Sequence, residues 1–147
     1  MSDKTEIIGK AGALVREFMS ISRNRDVSSR MPRIGSAIFR ALAYQLRYLG
    51  ANSINSEVCE TISATALIDR RIFEVAQRQG IEPIKLLKQV SSKVKQAISE
   101  ALKLGSEGAL YMLENCIILF ELEKIRLGKS PLNMGLAEIL ESDADSK

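Results

Sequence analysis

Four glycines frame this chain. Gly50, Gly80, Gly105 and Gly128 each close a stretch in which apolar residues recur every three to four positions, and no stretch alternates with the period of two that a strand requires. Glycine takes the left-handed backbone that commonly ends a helix, so the pattern predicts successive helices with defined stops. Asp3 with Glu6 three residues on is a capping-box start. The first helix runs from there to about Ser22, with Ile7, Ala11, Leu14, Val15 and Phe18 on its apolar stripe. Pro32 sits where the first turn of a second helix tolerates it, and Gly50 ends that helix. A third, capped by Asn55 or Ser56, is predicted to reach Gly80. A fourth runs from Pro83 to Gly105, a fifth from Ser106 to Gly128, and a short sixth starts at Pro131. Connections of a few residues between the second and fifth helices imply antiparallel neighbours. The expected fold is all-α, an antiparallel bundle of four to five helices. The polar stretch 22–30 sets the first helix apart. Residues 1–31 therefore read as a basic helical arm and linker, 32–128 as the bundle, and 129–147 as a short helix and acidic tail.

A chain of 147 residues is long enough to bury a core without metals or disulfides. The fifth helix is apolar on nearly every side, through Leu110, Met112, Leu113, Ile117, Ile118, Leu119, Phe120 and Leu122. Such a helix belongs at the centre of a core or at a subunit interface. Glu107, Glu114 and Glu121 form a thin seam along it at spacing seven, either a strip reaching solvent or a set of partners for arginines. Cys59 and Cys116 are the only cysteines, each inside a helical pattern, and read as reduced, buried thiols of an intracellular protein, or as a bridged pair if the source is a hyperthermophile. Lys4, Glu6 and Lys10 break the N-terminus where a signal peptide would need an apolar stretch. The longest apolar run, Cys116 to Phe120, is far short of the roughly 20 residues of a membrane span.

Charge is segregated by residue type. Ten arginines lie between Arg16 and Arg78 with no lysine among them, and every lysine is at Lys4, Lys10 or from Lys85 onward. Although the net charge is only +3, residues 1–50 hold nine Lys/Arg against four Asp/Glu. Arg16, Arg23 and Arg30 are spaced by seven, and so are Arg33, Arg40 and Arg47. Seven residues are almost two helical turns, which places each set on one face of a helix. On the second helix Arg33, Arg40 and Arg47 oppose Ile34, Ile38, Leu42, Leu46 and Leu49, and Tyr44 and Tyr48 flank the stripe. Arginine offers a planar, permanently charged fork that matches phosphate, and neighbouring rings can lie against sugars or bases. Arg16, the linker residues Arg23, Arg25 and Arg30, and the stripe Arg33, Arg40, Tyr44, Arg47 and Tyr48 are thus the candidate nucleic-acid contacts. The blander reading is a solvated face with tyrosines at the rim of the core. Lys85, Lys88, Lys95 and Lys103, beside Ser92, Gln96 and Ser99, look like an ordinary solvated helix face. Gly9, Gly12, Ala13 and Ser20 gather beside Arg16. That small-residue face permits close backbone approach, either to another helix of the chain or to a phosphate backbone.

Catalysis finds little to work with. No histidine is present, so the commonest general base and metal ligand is missing. There is no metal-spaced cysteine cluster and no glycine-rich phosphate loop, and no cofactor is expected.

In organisation the chain resembles the coat proteins of filamentous archaeal viruses, in which a basic helical arm joins a compact helical bundle and dimers wrap double-stranded DNA. The parts that carry the resemblance are the first helix, residues 22–31, and the second helix with Arg33, Arg40 and Arg47; the fifth helix would supply the surface between subunits. It implies a non-catalytic, sequence-independent DNA-binding protein that assembles with copies of itself or a paralogue, in a virion or inside a cell. A small helical subunit of a CRISPR ribonucleoprotein effector is the alternative, and a protein–protein module with an acidic partner is a third.

Overall fold

The computed structural model describes residues 3–68 and 70–128, with the side chains of all of these except 70–73. Among the described residues seven α-helices pack against one another, and none is in a strand. They are α1 (Lys4–Met19), α2 (Arg25–Ser28), α3 (Met31–Leu49), α4 (Ser56–Leu67), α5 (Arg70–Arg78), α6 (Pro83–Leu102) and α7 (Gly105–Gly128), with a 3₁₀ turn at Ala51–Ser53. Gly50, Gly80 and Gly105 have φ of 84°, 73° and 82°, the left-handed backbone their positions predict.

The apolar α7 is the central element, packed on α3, α1 and α6. It runs antiparallel to α3, since Arg40 reaches Glu121 and Arg47 reaches Glu114. It runs alongside α1 in the same direction: Lys4 Nζ lies 5.6 Å from the centre of the Tyr111 ring, Cys116 Sγ is 3.8 Å from Ala11 O, and Phe18 meets Phe120. The three helices join in an aromatic triad. Phe18, Phe39 and Phe120 are buried with ring centres 5.3 to 6.1 Å apart, all edge to face. Each such pair is worth about 0.5–1.5 kcal/mol beyond its buried area. Gly35 on α3 makes room for the triad, because a methyl group there would overlap the Phe120 ring.

This packing corrects the expectation of a separable N-terminal arm. Ile7, Ala11, Val15 and Phe18 of α1 are buried in the same continuous core as α3, α6 and α7. A stripe of that size buries more when docked on its own bundle than it can in solvent, and its short tether keeps it there. The tether is itself ordered. The side chain of Asn24 caps α2 by accepting from Asp26 N (3.0 Å) and Val27 N (3.2 Å), Ser28 Oγ donates to Ser22 O, and Val27 is fully buried.

The predicted third helix is two helices. Asn55 caps α4 as expected, accepting from Val58 N at 2.9 Å. Then α4 buries Cys59, Ser63 and Leu67, mainly against α6 and α3, while α5 buries Val75 and Ala76 and turns to meet α2. Asp69, between the two, is of a type favoured at helix starts over interiors, a signal that the continuous apolar pattern masked. The sixth helix predicted from Pro131 lies outside the described residues. Cys59 and Cys116 are free and buried.

Candidate nucleic-acid interface

The second-helix stripe that stood out in the sequence is largely tied down. Arg40 Nη2 donates to Glu121 Oε1 at 2.8 Å, and its Nε donates to Ser36 Oγ at 3.1 Å, which in turn donates to Glu121 Oε1 at 2.9 Å. Arg47 pairs with Glu114. The glutamate seam of α7 therefore supplies the acid that α3 alone lacks. Hydrogen bonds from Lys124, Arg40 and Ser36 hold the Glu121 carboxyl down to about 2. These two arginines are structural partners before they are anything else. Tyr44 and Tyr48 are 62% and 64% exposed and pack on each other with ring centres 4.8 Å apart, further along α3.

The other candidate arginines lie toward one end of the bundle. The C-terminal half of α1, α2, the first turn of α3, the last turn of α5 and the first turns of α6 meet at one end of the bundle. Lys93–Glu17 (3.7 Å) joins α6 to α1 there, and Gln79 Nε2 donates to Asp26 Oδ2 at 3.0 Å. This end holds Arg16, Arg23, Arg25, Arg30 and Arg33, none of which has a described carboxylate within 4 Å. Arg78, Lys85 and Lys88 join them, likewise without one. A cleft of about 500 Å³ is lined by Arg23, Asn24, Gly80, Glu82, Lys85 and Gln89. Arg23 and Arg25 are exposed and Arg30 is half-buried, its Nε buried without a hydrogen-bond partner.

Helix geometry adds to the field at this end. The N-termini of α3 and α6 both lie here, and neither helix has an acidic residue in its first turn. Their positive dipole ends act together with Arg30, Arg33 and Lys85. Glu82, at the N-cap of α6, lines the same cleft, and Glu17 and Asp26 are further described acids at this end. Such an arrangement favours an anion and concentrates one from solution.

Arg23 and Lys85 line one cleft, whereas the Arg16 guanidinium folds back over Gly12 and Arg33 lines the groove between α3 and α4 with Thr61 and Thr65; Arg40, Tyr44, Arg47 and Tyr48 lie further along α3. Lys85 and Lys88, which in the sequence look like part of a plain solvated face, belong to the basic end. The rest of that face is neutralised, Lys95 by Glu60 at 2.7 Å and Lys103 by Glu100 at 3.0 Å. Among the described residues, no helix crosses the small-residue face of α1 at Gly9 or Gly12. Nothing lies within 4 Å of a Cβ built on Gly9, and at Gly12 the one neighbour is the Arg16 guanidinium.

Among the described residues no three His, Cys, Asp or Glu side chains gather to hold a metal ion, and no helix is long and apolar enough to cross a membrane. Burial pushes the Cys116 thiol up to about 12 and raises Cys59 also, against the opposing pull of Lys95. No protein-family model matches the sequence, and no curated protein or solved structure shows significant similarity to it.

Proposed function

We propose that the chain is a non-catalytic structural protein that grips a nucleic-acid backbone at its basic end, without reading sequence, and assembles along it with other copies. The observation that carries this reading is that six arginines and two lysines without a described carboxylate within 4 Å, with two helix N-termini, lie toward one end of a bundle whose other described cations are mostly paired. Phosphate contacts position a protein on a duplex but carry no base information. Single-strand binders add stacking platforms beside the backbone groove. The exposed rings of Tyr44 and Tyr48 stand away from the basic end, which favours double-stranded DNA as the partner.

Negative-stain imaging of the purified chain with and without duplex DNA tests the reading. Long, regular polymers that appear only with DNA are the expected result. A bounded particle would favour the effector-subunit alternative, and no association at low salt would sink both.

A further inference from the structure

The outward side of α7 is apolar. Ile118, Leu122 and Ile125 are 57%, 55% and 59% exposed, spaced by four and three, so they line one strip of the helix. Tyr111, seven residues before Ile118, continues the strip toward the helix start. In heptad terms Tyr111, Ile118 and Ile125 occupy one inward-facing position and Asn115 and Leu122 the other. Phe120, buried in the chain's own core, points the opposite way. A contiguous apolar strip between polar edges marks an interaction surface more often than idle exposure. Here α3 borders one edge of the strip, through Glu114 and Glu121, and α1 borders the other.

We propose that a second copy of this chain covers the strip, with α7 packed against α7 in parallel about a twofold axis. The occupant and its direction follow from charge. Glu107, Glu114 and Glu121 form one edge of the strip, and Arg126 stands on the other. Parallel pairing places Glu121, which already accepts from Arg40 and Lys124 of its own chain, five residues before Arg126 of the second copy, the spacing at which flanking charges of paired helices meet, while Glu107 and Glu114 face Met112 and Leu119. Antiparallel pairing sets glutamates against glutamates. Asn115, the one polar residue in the inward positions, is of the type that fixes register and limits association to two strands. Arg126 now hydrogen-bonds Glu123 at 2.7 Å on its own helix and lies within reach of this exchange. The pairing specifies the self-association in the proposed function. It needs no nucleic acid, so its failure and the failure of the basic end are separately visible.

The test uses the full chain without nucleic acid. Sedimentation velocity at tens of micromolar is expected to show a dimer. Leu122→Asp should weaken that dimer about a hundredfold or more, because each dimer loses two buried leucines, while helicity by circular dichroism is unchanged. Ile118→Cys and Ile125→Cys, made singly, should each give a disulfide-linked dimer on mild oxidation, since in parallel register each residue meets its own counterpart. The native Cys59 and Cys116 are buried and do not interfere. A monomeric full chain overturns the proposal, whether the strip is covered by residues 129–147 or by a different protein. Cross-linking at one position and not the other overturns the parallel arrangement, because an antiparallel pair brings only residues near its axis face to face.

Discussion

Replacing Phe18 by alanine tests whether α1 is part of the core. Phe18 is 2% exposed and touches Phe39 and Phe120 edge to face, at 6.1 and 5.3 Å. Truncating a buried phenylalanine costs about 3–5 kcal/mol, through lost transfer energy and the cavity left behind. Two aromatic pairs go with it, which places Phe18→Ala in the upper half of that range. With a urea slope of about 2 kcal/mol per molar for a chain of this size, the unfolding midpoint should fall by about 2 M. Far-ultraviolet circular dichroism at fixed protein concentration, without nucleic acid, reads the shift. Ile8→Ala is the control on the same helix, since Ile8 is 45% exposed and should cost about 1 kcal/mol or less. A Phe18→Ala shift no larger than that of Ile8→Ala would refute the docking of α1 and restore the separable arm.

Gly35→Ala should destabilise by about 1–3 kcal/mol in the same assay, because the added methyl collides with the Phe120 ring in a filled core. Gly9→Ala should stabilise by up to about 1 kcal/mol, since a methyl there meets open space and alanine is the better helix former; a loss of stability would place a neighbour on that face. The depressed Glu121 carboxyl contributes stability that is present above its usual value near 4.5 and lost as pH falls toward about 2. Thermal melts of Glu121→Gln should therefore lack part of the wild-type decline in that window. Neither thiol of the native protein should react with an aromatic disulfide reagent at pH 8, and both should react once it is unfolded.

The helical class and the stops at Gly50, Gly80 and Gly105 were legible because turn chemistry and apolar period are local. The central place of α7 in the core was legible for the same reason, in its hydrophobicity, although one apolar strip of it, Ile118, Leu122 and Ile125, stays exposed. Whether α1 docks was not, because a polar linker looks alike when flexible and when pinned by one buried valine and one asparagine cap. Two arginines of the α3 stripe take partners that α3 alone does not show. That face of α3 has no acid of its own, and the acid comes from α7, about 70 to 80 residues away in the chain; the sevenfold glutamate seam was the one sign of it. Lys85 and Lys88 joined the basic end through tertiary packing of α6 against residues 20–24, which no spacing along α6 could announce.

The central claim is that the basic end neutralises phosphates. Duplex binding by the full chain should give a linear log–log plot of affinity against salt, with a slope set by the number of phosphates neutralised. Converting Arg23, Arg25 and Lys85 to glutamine should weaken binding to unrelated duplexes equally and flatten that slope by about 3, roughly one for each cation removed from the phosphates. Arg40→Gln, which removes a charge already paired with Glu121, should leave the slope where it was. A triple variant with the wild-type slope, or a larger change from Arg40→Gln, would contradict the claim.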